Sequence, residues 1–234
     1  MTSTLSSLKT INTLAFLRSL VEASRPLEER PLPPKPLVAL SRDYGAGGEE
    51  VAEILSQRLG VGCYDKTLLD AIASSAGTDP YLMGELDEKV AHLRDAWVMS
   101  LLTNQPVLNE HFRNHLVNVV LGLVGTGGVI VGRGAHIILA GKLMLRLRIA
   151  SSPEACARRI AETDNIPIAE ALKQVQRINH ERAHFVWEHF HSRLNDPTQF
   201  DLAVNTDHIP PAQAAELALS AMAARGLSVP LSPR

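Results

Sequence analysis

The stretch that most constrains this chain is Leu37–Gly60, LVALSRDYGAGGEEVAEILSQRLG. Leu37–Leu40 is a short apolar run suited to a buried strand. Ser41–Gly48 then turns sharply, with glycines at 45, 47 and 48. Beyond it Val51, Ala52, Ile54, Leu55 and Leu59 recur at helical spacing, and Gly60 is placed to end the helix. A strand, a glycine turn and a helix in that order build an anion cradle. Glycines let backbone N–H groups converge, and the helix N-terminus adds partial positive charge. A tight strand-to-helix turn with no ligand has the same pattern, so the loop alone does not decide between them.

Set against the phosphate-loop pattern GxxxxGK[ST], the match is incomplete. With Gly47 as the second glycine, Arg42 stands at the first glycine, Gly48 at the lysine and Glu49 at the Ser/Thr. Glu50 stands where a hydroxyl one residue later would be. The loop's shape is present without its usual cation and hydroxyl.

The 234 residues suffice for one large domain. A formal net charge of -2 argues against bulk binding to nucleic acid, so any anion site is local. Two cysteines, Cys63 and Cys156, imply no disulfide framework and fit a reducing, cytoplasmic setting. No apolar run reaches membrane-spanning length. Residues 1–23 read as an amphipathic helix, with a faint likeness to a transit peptide in their lack of early acids. Residues 24–36 hold five prolines and read as a stiff linker. The N-terminal helix is then left to pack on the body or to pair two copies as a homodimer.

The body runs over 37–226, with a tail at 227–234. Strands are expected at 61–64, 128–131, 142–150 and 201–205. Helices are expected at 65–76, 79–90, 91–103, 108–122, 153–162, 168–190 (with room for one break) and 211–224, plus a helical turn at 135–140. Strands alternating with helices predict an α/β fold of three layers, a parallel sheet with helices on both faces. The helices of 78–126 form an insert of the size of a lid or acceptor-binding part.

Five landmarks in order, LVALSRDYGAGGEEVAEILSQRLG, CYDKTLL, VIVGRGAHIIL, RINHERAHF and FDLAVNT, closely resemble the cytidylate kinase-like family, a branch of the P-loop nucleoside monophosphate (NMP) kinases. The resemblance covers about residues 37–224. It implies a five-stranded parallel sheet, ATP and Mg2+ as cofactors, and nucleotide substrates held at the strands' carboxyl ends. It places Ser41, Arg42, Gly45, Ala46, Gly47, Gly48, Glu49 and Glu50 around ATP, and Tyr64, Asp65, Lys66 and Arg133 around the acceptor. Arg177 and Arg182 match lid arginines that close on the transferring group. Glu49 stands where many members have a basic residue. Val131 and Asn179 stand where aspartates are usual.

Phosphoryl transfer needs cations and positioning rather than covalent work by the protein. Arg42, Arg133, Arg177 and Arg182 are the catalytic candidates, because guanidinium is permanently charged and grips phosphate through two bonds. Structural ion pairs, or a solvated helix face for the last two, are the bland readings. Arg158 and Arg159 read as surface or lid support. Asp65 either binds a ribose or base or caps a helix. Glu50 either ligates Mg2+ or favours a helix first turn. A non-catalytic nucleotide sensor or scaffold is the alternative function.

A remoter one is a zinc metallopeptidase. His180-Glu181-Arg182-Ala183-His184 is HExxH, with His189 and His191 downstream.

Overall fold

The computed structural model describes residues 35–66, 69 and 110–227. The expected N-terminal helix, most of the proline linker, most of the helix expected at 65–76, the helices expected at 79–103 and most of the tail lie outside them.

Five parallel strands form one sheet in the order β2-β3-β1-β4-β5. They are β1 (Leu37–Arg42), β2 (Cys63–Tyr64), β3 (Gly128–Val131), β4 (Leu145–Ala150) and β5 (Leu202–Asn205). The helices are α1 (Gly48–Leu59), α2 (Glu110–Thr126), α3 (Ala135–Ile138), α4 (Pro153–Asp164), α5 (Ile168–Phe190) and α6 (Pro211–Ala224). α5 is one unbroken helix of 23 residues.

Alternation along β1 builds the layers. Leu37 and Ala39 face one side, with Ile130, the apolar α2, α3 and Phe190. Val38 and Leu40 face the other, with Leu145, Leu147, Ile149 and the buried faces of α1, α4 and α6. Both faces being covered explains why β1 reads as a continuous apolar run.

The ladder extends β1 two residues past Leu40, because Ser41 and Arg42 still pair with Arg148 and Ile149 of β4. β4 starts at Leu145, where pairing with Val38 begins, not at Lys142. Ser152 caps α4, accepting from the Ala155 N–H, with Pro153 behind it. No helix among the described residues is long and apolar enough to cross a membrane.

β1 lies between β3 and β4, so the turns that leave β1 and β3 meet at one end of the sheet. The candidate site is there.

Candidate active site

The glycine loop leaves β1 at Arg42 and enters α1 at Gly48. Gly45 and Gly47 take left-handed φ of 80° and 76°. A Cβ on Gly45 would lie 2.8 Å from the Cys156 carbonyl oxygen, so the turn tolerates no side chain there. Three loop N–H groups are bonded inside the protein. Asp43 donates to the Ile149 carbonyl, Ala46 to that of Asp43, and Tyr44 to Asn179 Oδ1 at 2.8 Å. Those of Gly45, Gly47, Gly48, Glu49 and Glu50 have no acceptor among the described residues. They are the donors a helix start leaves for an anion.

The loop's carbonyls are pulled the other way. Arg159 Nη1 donates to the Gly45 carbonyl at 3.1 Å and to Ser151 Oγ at 3.0 Å, and its Nη2 binds the Thr206 carbonyl. Thr206 Oγ1 donates to the Ala46 carbonyl at 2.8 Å. In a trans peptide the carbonyl and the next N–H point oppositely. Drawing the Ala46 carbonyl toward Thr206 therefore turns the Gly47 N–H toward the cradle.

Gly48 and Arg42 explain each other. A Cβ on Gly48 would lie 2.5 Å from Arg42 Cβ and 2.6 Å from Cγ. The two positions touch, so only one of them can carry a side chain. In GxxxxGK[ST] the glycine is at the first and the cation at the second; in this chain they have changed places. The Arg42 side chain then crosses toward the β3 turn, where a Cβ on Gly132 would lie 2.7 Å from its Nη1.

That turn, Gly132-Arg133-Gly134, has φ of 80°, 52° and 70°. A left-handed arginine is strained, and such strain persists where the surroundings enforce it. Here a Cβ on Gly134 would lie 2.3 Å from Phe190, and the Arg133 guanidinium sits 4.3 Å over the Phe185 ring. Arg182, from α5, donates to the Arg42 carbonyl at 3.0 Å. Its pKa is lowered to about 10 by burial and then by Arg42, with Glu49 opposing. It is still a cation at neutral pH. Arg42, Arg133, Arg182 and Lys66 thus line one cavity of about 150 Å³, with Ser41, Glu181 and Phe185 among its walls.

Glu49 answers this charge. Its Oε1 accepts from Arg42 Nε at 2.9 Å and lies 3.7 Å from Arg182 Nη2. Glu50 is exposed in the first turn of α1.

Of the expected loop residues only Ser41 and Arg42 line the cavity, residues 45–50 lying beside it, and of the expected acceptor and lid residues three do not line it. Tyr64 is a core residue, packed on Gly62 and Gly128 and hydrogen-bonded to Thr126. A Cβ on Gly128 would lie 2.3 Å from its ring, so the ring fills the space beside that glycine. Asp65 spends its carbonyl on the Leu69 N–H and does not line the cavity. Arg177 is exposed and paired with Glu181 at 2.7 Å, one turn along α5. The same pair occupies the glutamate of HExxH. His184 is exposed and 3.5 Å from Glu188, and the described residues gather no group of three metal-ligating side chains.

Other contributors were not picked out from the sequence as parts of the site. Buried Arg148 binds Asp43 and Asn195 under the loop. Asn179 holds the Tyr44 N–H, and Arg159 and Thr206 brace the carbonyls. Asn179 and Thr206 stand inside quoted landmarks; nothing local signalled the rest.

A profile of the cytidylate kinase-like family matches residues 37–208. No curated protein matches the chain. Among solved structures, an uncharacterized protein from Eubacterium ventriosum is similar at 18% identity and a TM-score of 0.61, with 79% of this chain and 96% of that one covered. A sugar kinase from Janibacter sp. HTCC2649 shares 15% identity over 81% and 95% of the chains, at a TM-score of 0.46. Shikimate kinase from Bacteroides thetaiotaomicron shares 15% over 82% and 99%, at 0.41. At such identity the first likeness is one of fold.

Proposed function

The chain belongs to the cytidylate kinase-like family, and from that membership we propose that it transfers the γ-phosphoryl group of ATP to a nucleoside monophosphate, with CMP the first choice. The observation that carries this is the convergence of Arg42, Arg133, Arg182 and Lys66 on one cavity beside the glycine loop. Charge spread over a transferring phosphoryl group is met by such preorganised donors.

The loop N–H groups of Gly45, Gly47 and Gly48 take the donor's phosphates. Arg133 and Lys66 orient the acceptor's phosphate. Arg42 and Arg182 lie between them, and α5 covers the cavity against water. Mg2+ fits as a partner, because it needs only one or two carboxylates beside phosphate oxygens and water. Glu49 and Glu50 in the first turn of α1 are those at hand, and the ion would offset phosphate charge. We also place the activity in the cytoplasm, a reading supported by the free thiols of Cys63 and Cys156 and checked by cell fractionation.

The test is steady-state kinetics with ATP and a panel of nucleoside monophosphates. CMP should be converted to CDP. Arg182→Ala should lower kcat about 10- to 100-fold, the worth of one or two hydrogen bonds between charged groups. Arg177→Ala should leave kcat within about twofold, as expected of an exposed i,i+4 pair. Equal effects would remove Arg182 from the transfer step. Saturable ATP binding with no transfer to any acceptor would replace the kinase reading by that of a nucleotide sensor, which Glu49 on Arg42 would then explain.

A further inference from the structure

Asn179 lies on α5, three residues before Arg182, so both side chains leave the same face of the helix. Both reach the glycine loop. Arg182 donates to the Arg42 carbonyl at 3.0 Å, with its guanidinium 5.8 Å over the Tyr44 ring. Asn179 Oδ1 accepts the Tyr44 N–H at 2.8 Å. α5 thus grips residues 42 and 44 and leaves the N–H groups of Gly45, Gly47 and Gly48 open.

The contact with Tyr44 fixes which way the carboxamide points. A backbone N–H only donates, so the atom facing it is the oxygen, and the –NH2 is the other end of the same planar group. That –NH2 carries two donors, and neither has an acceptor among the described residues. Asn179 is half-buried, so its donors stay within reach of an entering ligand. Consecutive Cα atoms are about 3.8 Å apart. A group seated on Tyr44 is therefore beside Gly45, whose N–H is the first open donor of the cradle.

The residue type suits this place. Burial, and then Arg42, already lower the pKa of Arg182, so one more cation here would add repulsion. An aspartate would accept the same N–H but set a second negative oxygen beside the phosphates. A carboxamide accepts on the loop side and donates on the other, with no charge at either end.

We propose that Asn179 is a phosphate-binding residue: its oxygen stays on the Tyr44 N–H while its –NH2 donates to an oxygen of the donor nucleotide's phosphate chain. The assignment rests on the reading of the glycine loop as the donor-phosphate cradle, and the measurements below separate the two.

The experiment is isothermal titration of the full chain with inorganic tripolyphosphate. Divalent cations are left out, because a bound metal would bridge an aspartate to phosphate. Asn179→Asp keeps the shape and the acceptor and exchanges the donor for an anion. Asn179→Ala removes both. Affinity should fall about tenfold in Asn179→Ala and about 100-fold in Asn179→Asp. A residue that only braces the loop gives the other order, with Asn179→Asp at the wild-type affinity and Asn179→Ala below it. That order, or equal affinity in all three proteins, would overturn the proposal. Should Asn179→Ala fail to fold, wild type labelled with 15N-asparagine decides beside Asn179→Asp. The side-chain –NH2 signal that Asn179→Asp lacks should move saturably with tripolyphosphate, and a signal that stays in place while the ligand binds would also sink the assignment. A wild type that binds no tripolyphosphate removes the cradle and the role of Asn179 together. Wild-type binding that Asn179→Asp leaves unimpaired removes the role of Asn179 alone.

Discussion

Glu49 is the residue that most alters the electrostatics of this site. Its side chain is 57% exposed, while that of the Arg42 it holds is 10% exposed. An ion pair with one exposed partner is worth at most about 1 kcal/mol, so an entering phosphate can displace it. Glu49→Gln removes the competing anion and leaves the arginines in place. Calorimetry should then show pyrophosphate and ATP binding about two- to fivefold tighter. Weaker ATP binding, recovered by raising Mg2+, would instead assign Glu49 to the metal.

Among the elements, α4 does more than pack. Arg158 is exposed, whereas Arg159, its neighbour, reaches the Gly45 and Thr206 carbonyls. Arg159→Ala should therefore weaken ATP binding measurably and Arg158→Ala should not, with isothermal titration as the readout. Thr206→Val leaves the Ala46 carbonyl without its hydroxyl partner. That should cost about 1–3 kcal/mol in urea unfolding, and nucleotide affinity should fall with it; a neutral Thr206→Val would show that the brace does not set the loop.

This is also where the sequence stopped being legible. The glycine turn, the two-faced sheet and the order of the elements follow from local spacing. The brace does not, because its partners are 114 and 47 residues apart. Adjacent residues on a helix differ by about 100° in direction, and spacing alone does not say which of two arginines faces the loop. The face that Tyr64 presents is not legible for a like reason. In a two-residue strand the motif fixes the position but not the face.

For the molecule as a whole, His136 ties stability to pH. Burial, with Arg146 and Arg148 nearby, lowers its pKa from 6.5 to about 4 in the folded chain. Between those values the unfolded chain binds a proton that the folded one does not, so stability falls as pH drops from about 6.5 toward 4. At pH 4.5 the loss approaches about 2.5 kcal/mol relative to pH 7.5. Asp201, which burial would push up, is instead held low by its Arg146 hydrogen bonds and by Arg225. It also loses stability in acid, so the wild type alone does not isolate the histidine. Urea melts of wild type and His136→Asn at both pH values do. The variant should lose about 2.5 kcal/mol less across the interval, and parallel losses would mean that His136 is protonated without penalty.

The contact between Arg42 and Gly48 bears on ancestry. Keeping Arg42 while adding a lysine at position 48 would put two side chains into space that holds one. Glycine at both positions would fit but would leave the loop without its own cation. A lineage moving between this loop and GxxxxGK[ST] must therefore pass through the cationless form. Arg42→Gly has to precede Gly48→Lys, and the reverse order meets a steric barrier at its first step. In a laboratory lineage selected for nucleotide binding, a lysine at 48 should appear only in clones that already carry a glycine at 42.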